Sequence, residues 1–132
     1  MTNNNETSVL TGDQRYKEYR AETMSNADMP GTEKQYHSFS EFYPFYLSEH
    51  ANLACRRLHF IGSTLVLALL AYVVFTGQLV YLWLLPVIGY GFAWVGHFFF
   101  EKNRPATFKY PLYSFLGDWV MYKDIWMRKI PF

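Results

Sequence analysis

"LHFIGSTLVLALLAYVVFTGQLVYLWLLPVIGYGFAWVGHFFF", residues 58–100, contains no Asp, Glu, Lys or Arg. A helix needs about 20 apolar residues to cross the roughly 30 Å hydrocarbon core of a bilayer. This run holds two such lengths, and Thr76-Gly77-Gln78 interrupts it with a hydroxyl, a glycine and an amide suited to a tight turn. The pattern predicts an all-α integral membrane protein built on a helical hairpin, with spans over residues 58–75 and 79–100. Two core helices of a soluble domain share this composition. A chain of 132 residues, however, has little other material with which to cover both of them all round.

Length allows one domain. A formal charge of +1 and a charged fraction of 17% show no nucleic-acid footprint in the totals. The single cysteine, Cys55, excludes an internal disulfide and a cysteine-based zinc cluster, and reads as a small apolar residue near the interface. Residues 1–36 are polar and without sustained period, which predicts a flexible tail with a short helix over residues 13–23. The N-terminus lacks the basic region, apolar core and small-residue cleavage site of a signal peptide, so the spans are expected to be retained.

Residues 37–132 are expected to form the membrane-embedded domain. In residues 37–60 a dense aromatic face of Phe39, Phe42, Tyr43, Phe45 and Tyr46 predicts an interfacial helix at the headgroup level, leading into the first span. Beyond the second span, "EKNRPATFKYP" is basic and broken by proline. "LYSFLGDWVMYKDIWMRKIPF" is interrupted too often, by Asp118, Lys123 and Asp124, for a third span, and is expected to lie on the membrane as an amphipathic helix. Basic residues flank both spans (Arg56 and Arg57; Lys102, Arg104 and Lys109) while the turn has none. The positive-inside rule puts both hairpin ends on the cytoplasmic side, of a bacterial inner membrane or of the endoplasmic reticulum.

In that antiparallel arrangement His59, at the start of the first span, and His97, near the end of the second, share one membrane level. Gly89, Ala93 and Gly96 lie on one helix face and permit close approach. On a continuous helix Glu101, four residues beyond His97, reaches the same ion. His50 lies nine residues before His59. On one straight helix the two face opposite ways, so joint ligation requires a bend, and the segment between them has no proline or glycine to make one. Imidazoles with a carboxylate suit iron, zinc, copper or nickel, and the spacing does not choose among them. Each histidine alone also reads as a hydrogen-bonded interfacial ring. Ionisable groups gathered at this depth are more often functional. Arg56 and Arg57 read equally as topology determinants and as partners for a substrate carboxylate; His37, outside the cluster, reads as a surface residue.

Two motifs resemble a known family, the small membrane proteins typified by a fungal iron(II)-dependent 2-hydroxy-palmitic acid dioxygenase. In "YLSEHANLACRRLHFIG" the matching positions are His50, Asn52 and His59. In "WVGHFFFEKNRPA" they are Gly96, His97, Glu101, Lys102, Arg104, Pro105 and Ala106. Where the family often has a proline and a second asparagine after the first, this chain has Leu53 and Cys55. The resemblance spans roughly residues 39–132. It implies fatty-acid α-oxidation, in which a long-chain 2-hydroxy fatty acid and O2 react at Fe(2+) to give the acid one carbon shorter, the acyl tail lying in membrane lipid. On this reading His50, His59 and His97 are the iron ligands, Glu101 is a fourth ligand or an orienting group, and Arg57 holds the substrate carboxylate. The rival expectation is a non-catalytic membrane protein or accessory subunit of a larger complex. Protein partners, a homo-oligomer included, stay open.

Overall fold

The computed structural model describes residues 36–132 together with Gln14, Lys17, Glu18 and Ala21, which are helical and exposed. The rest of the expected polar tail and its short helix lies outside the described residues.

The described part is all helical. Helix α1 (Phe39–Ser48) starts at Ser38, whose hydroxyl accepts the Glu41 amide at 3.2 Å. A short turn follows, and α2 (Leu53–Thr76) begins at Asn52, whose side chain accepts the Ala54 amide at 2.8 Å. Asparagine at an N-cap halts one helix and starts the next without proline or glycine. The bend that joint ligation by His50 and His59 requires is therefore present, made by Asn52 rather than by proline or glycine.

Helix α2 ends at Gly77, in the left-handed region at φ 69°, whose amide donates to the Val73 carbonyl at 2.8 Å. The return leg is one composite helix: a 3₁₀ turn (Leu79–Trp83), α3 (Leu84–Val95) and a π-helical segment (Gly96–Glu101). Both legs are long and apolar enough to cross a membrane, and only 17% and 6% of their most apolar stretches is buried. A soluble core helix of this composition would be mostly covered. Here Val74, Phe75, Leu79, Val80 and Trp83 face outwards at 62–89% exposure, which separates this pair from buried core helices.

The legs approach where side chains are absent. A Cβ on Gly62 would stand 2.8 Å from Phe92 Cβ, and one on Gly96 would stand 2.9 Å from Cys55 Sγ and 3.3 Å from Cys55 Cα. Gly89 leaves more room, with Val66 Cγ2 at 3.6 Å as the nearest atom. The glycine stripe thus brings the helices together at the cluster end and leaves space farther in.

A 3₁₀ turn (Ala106–Phe108) leads to α4 (Pro111–Trp126), with proline in the first turn, where its missing N–H costs nothing. This helix packs on both α1 and α2. The aromatic face of α1 packs against it: Phe42 and Tyr46 are buried with Met121, Ile125 and Ile130, and Tyr36, Tyr110 and Tyr113 close round Phe42. Tyr43 donates to Asp124 at 2.8 Å, and Phe60 of α2 stacks on Tyr122 at 4.8 Å. Of the charges that break the apolar pattern of α4, Asp118 and Asp124 turn into the protein while Lys123 stays exposed.

Gly96→Ala forces a methyl against Cys55, including its backbone, and is expected to cost about 1–3 kcal/mol, as overpacking of a tight core does. Thermal unfolding followed by circular dichroism measures this. Adding Cys55→Ala should restore part of the loss, and an undiminished melting temperature in Gly96→Ala would contradict the close approach.

Candidate metal centre

Three separate elements each deliver one imidazole to the same point. His50 comes from the turn after α1, His59 from the second turn of α2, and His97 from the π segment; they are 1%, 6% and 2% exposed. Their ring centroids lie 4.5 Å (His50–His59), 4.5 Å (His50–His97) and 5.2 Å (His59–His97) apart, with each pair edge to face.

Hydrogen bonding fixes how each ring is used. His50 Nδ1 is 2.6 Å from the Tyr46 carbonyl, and His59 Nδ1 is 3.2 Å from the Asp118 carboxylate. Both partners only accept, so both Nδ1 atoms carry the proton. His97 Nδ1 is 2.8 Å from Asn103 Oδ1. That amide is oriented by its own Nδ2, which donates to the Glu49 carbonyl at 3.0 Å and the Glu49 carboxylate at 2.9 Å. His97 therefore donates from Nδ1 as well. All three Nε2 atoms are left as lone pairs, and those of His50 and His59 are 3.2 Å apart.

Two lone pairs at that distance repel each other, and a cation between them turns the repulsion into ligation. Nitrogens sharing one ion at about 2.1 Å, at angles near 90–110°, lie about 3.0–3.4 Å apart. Burial, with His59 and His97 close by, holds the His50 imidazole well below its ordinary range, so it is neutral, as a ligand must be. Nδ1 tethers to a carbonyl, a carboxylate and an amide oxygen are the usual supports of metal-bound histidine. The donor set fits a metal ion.

A sulfur joins the group. Ligand atoms of His50, Cys55, His59 and His97 all lie within 4.8 Å of one another, and Cys55 is fully buried. The sequence reading placed Cys55 as a small apolar residue near the interface. It does fill the space over Gly96, but it also stands one helical turn before His59 on the same face, an i, i+4 signal that spacing offered and that went unused.

Glu101 is not in the group. Its carboxylate accepts the backbone N–H of Asn52, so it ties the second leg to the start of α2. The expectation that Glu101 faces the same ion as His97 assumed an α-helix. In the π segment residues four apart still share a face, but the Glu101 carboxylate is taken up by the Asn52 N–H at the start of α2 and lies outside the group of converging ligand atoms. Arg57 is also elsewhere: its guanidinium donates to the Phe132 carbonyl at 3.3 Å and lies over the Phe132 ring. The arginine buried near His50 is its neighbour Arg56, 4% exposed. His37 is exposed, as expected.

The supporting residues are the ones that sequence reasoning missed. Asp118 appeared only as an interruption of an apolar run, yet it accepts from both His59 and the Tyr46 hydroxyl. Burial and the Asp118 carboxylate push the Tyr46 phenol up, so it stays a donor, and its ring stacks on His50 at 4.1 Å. Gly117 admits that ring, since a Cβ there would meet it at 2.8 Å.

From the histidines a cavity of about 410 Å³ runs between the two legs. On one side it follows Ser63, Val66 and Leu70, and on the other Ala93, Gly89 and Leu85. His59 to Leu70 is a helical distance of about 16 Å, and past the polar end the walls are mainly apolar.

Asp118→Asn keeps the shape and removes the charge. Affinity for a divalent probe such as Co(2+) is expected to fall about 10–100-fold, as when a ligand's supporting carboxylate is lost, with helicity unchanged. Equal Co(2+) affinity by titration would remove Asp118 from the support of His59.

A family model described as 2-hydroxy-palmitic acid dioxygenase Mpo1-like matches residues 36–130 of this chain. No curated protein and no solved structure matches it.

Proposed function

The chain belongs to the Mpo1-like family, and from that premise we propose that it is a membrane-embedded, iron(II)-dependent dioxygenase that converts long-chain 2-hydroxy fatty acids to acids one carbon shorter. The observation that carries this reading is the set of three buried histidines whose Nε2 lone pairs converge at the head of a mainly apolar cavity. His50, His59 and His97 hold the ion. Cys55 stands beside them, within reach as a fourth ligand atom. Bound there, iron(II) supplies the redox chemistry with O2 that zinc lacks.

The protein's own contributions are orientation, exclusion of water and binding. Tyr46, Asp118 and Asn103 fix the tautomer and direction of each ring. Glu101 and Asn52 hold the two legs together beside His50, so the turn bearing His50 is not free to swing out. The acyl tail lies along Val66, Leu70, Leu85 and Ala93, which brings the C1–C2 bond of the acid to the histidines. A tail arriving from the bilayer enters with no aqueous step. Arg57 is the sequence-based candidate for the carboxylate, but its contacts with Phe132 turn it from the cavity, and the polar head is met by groups on the cavity wall.

Both legs span the bilayer in this reading, with Gly77 on the side opposite the basic residues that flank them. Cysteines introduced singly at Gln78 and Lys109 are expected to react with an impermeant thiol reagent from opposite faces of sealed vesicles, the buried Cys55 staying silent. Labelling of both from one face would exclude the hairpin topology.

Protein supplied with iron(II), O2 and 2-hydroxypalmitate should release the acid one carbon shorter, detected by mass spectrometry. Zinc should give no product, and His97→Ala should lose both iron and activity. Turnover that persists after iron removal, or none from any 2-hydroxy acid with the iron site filled, would reject the assigned reaction.

A further inference from the structure

An acyl chain that leaves the bilayer for the cavity exchanges one apolar surrounding for another. Its burial therefore discriminates weakly, and recognition falls to polar groups at the head end. Ser114 lines the cavity with the three histidines, is 2% exposed, and its hydroxyl makes no hydrogen bond. A serine inside a helix ordinarily satisfies its hydroxyl at the carbonyl one turn back. Here the Tyr110 carbonyl takes the Ser114 backbone N–H at 2.9 Å, and the hydroxyl of this cavity-lining residue makes no bond to it or to any other group. A buried hydroxyl with no partner weakens a fold without return unless a ligand supplies the partner.

The surroundings indicate what kind of partner. Asp118, one turn further along the same face of α4, also lines the cavity, but its carboxylate already accepts from Tyr46 and His59. Ser114 closes the first turn of a 16-residue helix whose N-terminal end no side chain caps, and the helix dipole favours negative charge there. A single O–H donor at a positive helix end suits an anionic oxygen better than a neutral one.

We propose that Ser114 donates a hydrogen bond to the carboxylate of the bound fatty acid and so distinguishes the free acid from uncharged lipids of equal length. This rests on the reading of the cavity as a 2-hydroxy fatty acid site. Ser114 is then a substrate-binding residue, distinct from the groups that hold the metal.

The test uses the full chain in detergent micelles, loaded with zinc so that nothing turns over, and measures binding of 2-hydroxypalmitate and of its methyl ester. Wild type should prefer the acid. Ser114→Ala should weaken acid binding about tenfold or more, the range for a hydrogen bond to a charged group, and leave ester binding and zinc content unchanged. The melting temperature should not fall, because the hydroxyl has no protein partner to lose. Ser114→Thr, which keeps a hydroxyl, should recover acid binding. Unchanged acid affinity in Ser114→Ala, an equal loss for acid and ester, or a lowered melting temperature would each overturn the proposal. A wild-type protein that binds neither ligand would instead overturn the fatty-acid reading itself, and this assignment with it.

Discussion

Three imidazoles buried with their lone pairs facing one another are the constraint on which the rest of the structure depends. Burying a ring nitrogen without a partner is costly. Here the Nδ1 half of the problem is solved three times over by a carbonyl, a carboxylate and an amide oxygen. Each comes from a different place: Tyr46 from α1, Asp118 from α4, Asn103 from the loop after the second leg. The site therefore forms only when all of these elements are docked, and the Nε2 half of the problem is left for a cation. Metal binding to the folded chain then stabilises it by mass action.

Docking is arranged by small residues and by two departures from the regular α-helix. Gly96 lets the legs close at the histidine end, and Gly117 admits the Tyr46 ring that stacks on His50. The Asn52 cap breaks the chain between His50 and His59, so that residues nine apart meet face to edge. The π turn at Gly96–Glu101 sends His97 inwards and Glu101 towards Asn52. Such turns in a helix often mark functional positions. Farther from the histidines Gly89 and Ala93 leave the space that becomes the apolar cavity.

Several residues could be read in outline but not in role. His59 and His97 were legible as a pair because an antiparallel hairpin puts both of its ends at one level, and His50 joined them through the motif resemblance. Asn52 was visible in the motif, but the bend was sought in a proline or glycine and the residue's capacity to start a helix was not read. Glu101 and Arg57 were assigned by chemistry and spacing, and the structure has them bonded to Asn52 and Phe132. Spacing assumes an ideal α-helix, and charge alone does not say which way a guanidinium turns. Asp118 and Ser114 lie far in sequence from every histidine, so no local pattern marks them; Tyr46 and Asn103 stand four and six residues from the rings they support, but as a backbone carbonyl and an amide they carry no motif of their own.

By itself the sequence determined the apolar hairpin, its turn at Gly77, the polar character of the first 36 residues and the meeting of His59 with His97 at one level. These follow from hydrophobic run length and from the geometry of two antiparallel rods, which are local or nearly so. Tertiary structure alone decided that the aromatic face of α1 packs as a core against α4, that the carboxylates of α4 face inwards, and that each histidine presents Nε2. A ring's tautomer is set by the acceptor opposite its other nitrogen, and which acceptor stands there is known only once separate helices have packed.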